Sequence, residues 1–175
     1  MEFEQLVKIR RSIRGYREAG ISEKELREIF SCVSMAPSWK NSQTGRYYVA
    51  LGEDAVKEVY DCLPGFNQNS SANAAYIIAA FKKGISGFNN GEATDLSGDI
   101  WGGYDLGLQN AYLILKASEM GYDTLIMGLR DEDRLRAYFS IPEDEIIMPV
   151  IAIGKRNKDA VEKVRKDADE IMTLR

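Results

Sequence analysis

Tyr76-Ile77-Ile78-Ala79-Ala80-Phe81 is an unbroken apolar run, strand-sized and without the alternation of a half-exposed strand. It therefore predicts a strand covered on both faces. Working outward, Arg46-Tyr47-Tyr48-Val49-Ala50-Leu51 upstream and Leu125-Ile126-Met127 downstream also read as strands. Residues 146–153 add a fourth, interrupted by Pro149, whose missing N–H predicts an edge position or a bulge. Helical signals fall between them. Ser22-Glu23-Lys24-Glu25 is a capping box, and Leu26, Ile29, Phe30 and Val33 behind it keep helical spacing to about Met35. Further helices are expected over residues 3–9, with Leu6 and Ile9 turned inward, and over 54–62, 131–139 and 159–172. A strong helix from Tyr104 is marked by Leu108, Ala111, Tyr112 and Leu115 and stopped by Gly121. Helices and strands mix without a regular strand–helix–strand cadence, so the fold class is α+β.

A chain of 175 residues with 45% hydrophobic and 29% charged residues suits one domain, 1–175, with a sizeable core. The net charge of −4 gives no general attraction to nucleic acid or an anionic membrane, so any anion site must be local. No apolar run approaches the roughly 20 residues of a membrane span. The acidic opening Met1-Glu2-Phe3-Glu4 lacks the basic start of a secretory signal, which makes a cytoplasmic location the expectation. Cys32 and Cys62 lack metal-ligand spacing and read as packed free thiols. The most restrictive fact is the absence of histidine, which removes Ser-His-Asp and Cys-His catalysis and most transition-metal sites. An enzyme with this composition leans on a cofactor, or on acids, lysines and tyrosines.

Four segments could carry chemistry. Arg10-Arg11-Ser12-Ile13-Arg14 offers planar guanidinium forks and a hydroxyl suited to phosphate oxygens, or else is a solvated basic turn. Pro37 ends the capped helix, and Ser38-Trp39-Lys40-Asn41-Ser42-Gln43 then forms a polar loop able to bond the edge of a planar ring, or a plain connector. Gly65-Phe66-Asn67-Gln68 supplies carboxamides that can pair with an imide-like edge or merely close a turn. Met127-Gly128 ends a strand in a glycine that lets the backbone approach a ligand.

In order and spacing these pieces resemble the nitroreductase family of FMN-dependent enzymes. Added to them are Asp105 with Gln109-Asn110, Glu119-Met120-Gly121-Tyr122, Ile141-Pro142-Glu143 and Ile151-Ala152-Ile153-Gly154, spread over nearly the whole chain. The resemblance implies a central mixed sheet flanked by helices in an intertwined homodimer, with two FMN sites at the subunit interface. By position, Arg10, Ser12 and Arg14 hold the phosphate and pyrimidine side of the flavin, and Arg11 contacts it through its backbone. Pro37, Ser38, Trp39 and Asn41 come from the other subunit. Gln68 matches the amide on the flavin's polar edge, with Asn67 as its rival. The Met127 and Gly128 backbone sits beside flavin N5. Arg165, or Lys166, matches a C-terminal basic phosphate contact.

The implied activity is hydride transfer from NAD(P)H through flavin N5 to an electron-poor acceptor such as a nitroaromatic or quinone. The sequence departs from the family where Thr44-Gly45, rather than Pro-Trp, precede Arg46. The chain is also near the family's short end, so a cover over the site must come from about 84–101, with Trp101 and Tyr104 as candidate lids or interface residues. Three alternatives remain at this stage: a flavin-consuming or dehalogenating relative, a flavin-binding or storage protein without catalysis, and an anion or nucleotide site with no flavin.

Overall fold

In the computed structural model, which describes residues 1–17 and 20–175, the run Tyr76–Phe81 lies inside a buried strand at the centre of the molecule. Along the chain, α1 (Phe3–Ile9) and α2 (Glu23–Val33) precede β1 (Gly45–Ala50), and α3 (Glu53–Asp61) and α4 (Gly65–Ser71) lead into β2 (Ala75–Lys82). A small hairpin of β3 (Phe88–Asn89) and β4 (Glu92–Ala93) comes before the long α5 (Ile100–Glu119). Then follow β5 (Asp123–Met127), α6 (Glu132–Phe139), β6 (Glu145–Gly154) and the short α7 (Ala168–Ile171).

The main sheet has the order β1-β2-β6-β5, every neighbouring pair antiparallel. The expected mixed sheet is thus antiparallel in its four strands; the parallel element is one bridge, Ser12 to Thr124, on the outer edge of β5. On one face Ile78, Ala80, Leu125, Val150 and Ala152 pack with Val59 of α3 and Leu135 of α6. On the other, Ile77, Ile151 and Ile153 meet Leu26, Ile29 and Val33 of α2 and Leu113 and Ala117 of α5. Three layers result, and each aliphatic side chain removed from water contributes about 1.5–3 kcal/mol.

The capping box forms as the sequence requires, with Ser22 accepting the Glu25 amide and Glu25 accepting the Ser22 amide, and α2 stops at Val33 rather than Met35. Gly121 ends the long helix with φ +80°, where the Tyr122 N–H reaches back to the Ala117 carbonyl.

Four expectations need correction. Pro149 lies in β6, between β2 and β5, not on an edge strand. The bulge is real: Ile78 faces Val150 and Ala80 faces Ile147, so Ala79 alone opposes Met148 and Pro149, while β5 pairing stops at Val150. Ile9 is exposed, and Leu6 is the buried residue of α1. A helix beyond those expected, α4, begins at Gly65 with Pro64 as its N-cap. The long helix starts at Ile100, and the stripe that announced it (Leu108, Ala111, Tyr112, Leu115) faces away from the sheet. The buried side of α5 is Gly102, Asp105, Leu106, Gln109, Asn110, Leu113 and Ala117. In the tail only Ala168–Ile171 is helical, and residues 161–175 are exposed. A four-residue helix buries nothing and gains little from propensity alone.

Candidate functional site

Arg10 closes α1, its amide bonded to the Leu6 carbonyl, and the chain then runs onto the open edge of β5. Ser12 bridges Thr124, and the Ile13 N–H donates to the Thr124 carbonyl at 3.0 Å. Ile13 is buried beneath the sheet, so the two-residue alternation of extended chain turns Ser12 and Arg14 out to solvent. Gly15, at φ +128°, carries the chain on towards Tyr16 and its bridge to Arg156; a Cβ there would press within 2.6 Å of the Asn157 amide oxygen. Tyr16 plugs the turn from inside, donating its hydroxyl to the Ile13 carbonyl.

Among the described residues, none of Arg10, Arg11, Arg14 or Arg165 forms an ion pair with a carboxylate. Burial, followed by the like charges of Arg165 and Arg11, pushes the Arg10 guanidinium below its ordinary value. Arg165 of the exposed tail is thus near enough for its charge to act on Arg10, 155 positions away in the chain (165 − 10). Cations gathered without a paired carboxylate among the described residues, on outward-facing backbone, have the chemistry to receive an anion such as a phosphate monoester.

Ser12 lies beside Thr124, and Met127 is three residues further along β5. At about 3.3 Å per residue that separation is roughly 10 Å, the scale of a fused three-ring system with its side chain. Gly128 opens onto an apolar cleft of about 460 Å³, lined also by Gly103, Gly107 and Asn110 of α5, by Ile126 and by Met148. The Arg130 guanidinium fixes the exit from β5, bonding the carbonyls of Gly128 and Ile147.

The loop after α2 is built against local preference. Lys40, Asn41 and Gln43 hold φ of +46°, +55° and +50°, a region costly to residues other than glycine. Its hydrogen bonds explain how it persists. The Ser38 hydroxyl accepts the Gln43 amide at 3.1 Å, and the Trp39 amide is shared between both carboxylate oxygens of Asp105. Pro37 and Asn41 are exposed, Ser38 and Trp39 half-buried. Lys40 lies 4.5 Å above the Trp39 ring.

In α4 the two candidate amides behave differently. Gln68 donates to the Tyr60 carbonyl at 3.0 Å, capping the end of α3. Asn67 is buried, and its side chain makes no hydrogen bond among the described residues.

The structure therefore brings Arg10, Arg11, Ser12 and Arg14 together, with Arg165 near enough to act on Arg10, and sets Met127-Gly128 on the same sheet edge. It does not bring Pro37, Ser38, Trp39 and Asn41 to them. Their loop enters β1, the opposite edge strand, at the end where Gly45 faces Phe81, whereas Thr124 faces Ile153 at the other end. Three strand spacings and about six residues of strand place the two regions ~14 Å apart across the sheet and ~20 Å along it. Lys166 is exposed, like Arg165. Two supports escaped the sequence reading: Arg130, and Ser86, which sits in a Gly/Asn-rich stretch with no periodicity to mark it.

A family model described as the Nitroreductase family matches residues 7–155. A Bacillus subtilis protein provisionally named NAD(P)H nitroreductase YdgI is 26% identical over 205 residues, covering 97% of this chain and 96% of its own. A solved structure from Exiguobacterium sibiricum, provisionally named a nitroreductase and described as in complex with FMN, superposes with a TM-score of 0.86 at 22% identity, covering 100% of this chain and 98% of that one. A nitroreductase family protein from Streptococcus pneumoniae gives 0.84 at 19% identity, over 99% of this chain and 100% of that one.

Proposed function

The chain belongs to the nitroreductase family, and from that premise we propose that it binds FMN and is an NAD(P)H-dependent oxidoreductase. The acceptor would be an electron-poor small molecule such as a nitroaromatic or quinone. The observation that carries this reading is the arginine cluster, without a paired carboxylate among the described residues, beside Met127-Gly128 on the β5 edge. FMN joins a phosphate to a planar ring, and the edge offers a cation cluster at one end and open backbone with an apolar cleft at the other. Relatives named as NAD(P)H nitroreductases and a neighbour described with FMN point the same way.

When bound, FMN would supply the redox chemistry, taking hydride from NAD(P)H and passing reducing equivalents to the acceptor. Arg10, Arg14 and Arg165 hold the phosphate by charge-assisted bonds, and Ser12 adds a neutral donor. Arg11 contributes backbone contact. The Met127-Gly128 backbone lies against the ring, where an N–H can stabilise developing negative charge. Of the two α4 amides, Asn67 has no internal hydrogen bond whereas Gln68 is committed to the Tyr60 carbonyl, which favours Asn67 for the polar ring edge. The apolar lining at Ile126 and Met148 excludes water from the reacting face.

Pro37, Ser38, Trp39 and Asn41 serve the same site from a second copy of the chain, because one copy cannot bring them to its own arginines. The outward stripe of α5 supports a homodimer: Tyr104 is 59% and Tyr112 37% exposed, and Ile126 and Met148 next to them are 47% and 42% exposed. No helix of the described residues is long and apolar enough to cross a membrane.

An absorbance spectrum of the purified protein tests the reading first. Flavin bands at about one FMN per chain, followed by NADH or NADPH oxidation with a quinone or nitroaromatic, are expected. A colourless protein that takes up no added FMN removes the proposal, and bound flavin with no pyridine-nucleotide oxidation removes its second half.

A further inference from the structure

Asp105 is 2% exposed, and no lysine or arginine pairs with it among the described residues. Its carboxylate is instead held by donors from two separate stretches. From the loop after α2 comes the Trp39 amide, at 3.1 and 3.0 Å to the two oxygens. From the root of the hairpin segment comes the Ser86 hydroxyl at 2.6 Å, and Ser86 is itself 1% exposed. Ser86 also bonds the Ser42 hydroxyl of the loop at 2.6 Å, which closes the network. A buried carboxyl group bonded to donors from two other stretches loses a partner if either moves away, so the three stretches of chain are held as a unit.

The two stretches are the ones not placed by apolar packing. The loop carries three left-handed, non-glycine residues and needs an external restraint. The hairpin segment is tied mainly to itself: Gly84 to Asp99, Thr94 to the Gly87 carbonyl, and Trp101 to Asp95 at 3.2 Å. At the hairpin's tip, Lys40 donates to Asn89 at 3.3 Å, an exposed bond of small worth. The buried junction at Asp105 is thus the main connection between them.

We propose that Asp105 is a positioning residue that couples the Ser38–Gln43 loop to the root of the 84–99 segment, so that the flavin-facing loop and the hairpin segment move together. The functional half of this statement rests on the flavin reading above; the coupling does not.

The chain supplies its own reporters, because its two tryptophans stand one on each arm: Trp39 on the loop and Trp101 behind the hairpin. In a Trp101→Phe background, Asp105→Asn should raise acrylamide quenching of Trp39 about twofold; in a Trp39→Phe background it should do the same for Trp101. Ser86→Ala, which removes a bond to Asp105 and one to Ser42, should loosen both tryptophans, Trp101 more than Trp39. In the flavin-loaded protein with both tryptophans, Asp105→Asn should weaken FMN by ~10-fold and Ser86→Ala by a smaller factor in the same direction. Unchanged Trp39 quenching in a folded Asp105→Asn protein overturns the coupling, and so does a Ser86→Ala variant that loosens Trp101 and leaves Trp39 unchanged. If Asp105→Asn does not fold, the Ser86→Ala and Ser42→Ala pair decides: each is expected to loosen both tryptophans, and a change confined to one arm overturns the coupling. Quenching that shifts as stated in a protein taking up no FMN keeps the coupling and ends the flavin reading.

Discussion

The centre of the sheet and its two outer edges are built by opposite rules. In β2 and β6, Ile77, Ile78, Ile151 and Ile153 are wholly buried, each strand has partners on both sides, and helices cover both faces. At the edges, arginines sit beside arginines, three non-glycine residues hold left-handed backbone, and Asn67 keeps an unused amide. Groups in the centre are satisfied by the chain itself. Groups at the edges are arranged as though something else completes them, which is how a binding site differs from a core. Stability and ligand affinity should therefore be separable by substitution.

The largest effect should come from the centre. Ile77→Ala removes a fully buried side chain between β2, α2 and α5, and should cost about 2–5 kcal/mol, or roughly 5–15 °C in Tm. The folded fraction should still bind FMN one to one. Chemical denaturation together with flavin titration checks both halves, and a loss of FMN affinity with little loss of stability would break the contrast.

Arg10→Ala is the converse. Losing a charge-assisted phosphate contact of about 1.5–3 kcal/mol should weaken FMN by ~10–100-fold. The melting temperature without flavin should hold or rise slightly, because a like-charge repulsion with Arg11 and Arg165 is relieved. If Arg10→Ala melts markedly lower and keeps its flavin, the cluster is structural.

This division also explains what could be read from the sequence. The centre was legible because an apolar run such as Tyr76–Phe81 reports its own burial, and the Ser22–Glu25 capping box is complete within four residues. The phase of α5 was not. That helix is apolar on its outward stripe, while its sheet-facing side carries Asp105, Gln109 and Asn110, so hydrophobicity pointed to the wrong face. The arginine cluster was visible as residues, but its meaning depended on the charge of Arg165 in the tail acting on Arg10, a proximity no local pattern encodes. Pro149 announced the bulge through its missing N–H, yet could not say that β5 would end at Met127 and leave β6 central.

A smaller effect decides between the two amides of α4. Asn67→Ala should weaken FMN by ~3–10-fold, the worth of one neutral hydrogen bond, with little change in folding beyond the lost packing. Gln68→Ala should leave affinity alone and lower stability by up to about 1 kcal/mol, because its partner is the Tyr60 carbonyl at the end of α3. The reverse pattern in paired titrations would return the polar-edge role to Gln68 and put Asn67 with the core.

The finest test sets a charge on the self-satisfied side of the molecule against the arginines on the other. Glu25 accepts the Ser22 amide at 2.9 Å and hydroxyl at 2.5 Å, and the Tyr122 hydroxyl at 2.6 Å, pinning the start of α2 to the turn after α5. The Ser22 hydroxyl first, then Tyr122, lower its carboxyl from 4.5 to about 2. Since the folded value is the lower one, the contribution is complete above about pH 4.5 and is lost as pH falls towards 2. Burial and the bond to Glu25 raise Tyr122 to about 12, so its share is complete below pH 10 and lost as pH rises through 12. The Tm gap between wild type and Glu25→Gln should be widest near pH 7, shrink between pH 4.5 and 2, and be insensitive to added phosphate. The arginine cluster should answer in the opposite sense, gaining stability from phosphate and little from pH across that range. A Glu25→Gln gap that stays constant from pH 7 to pH 2 would show that the carboxylate's charge contributes nothing, leaving the two regions distinguished by their packing alone.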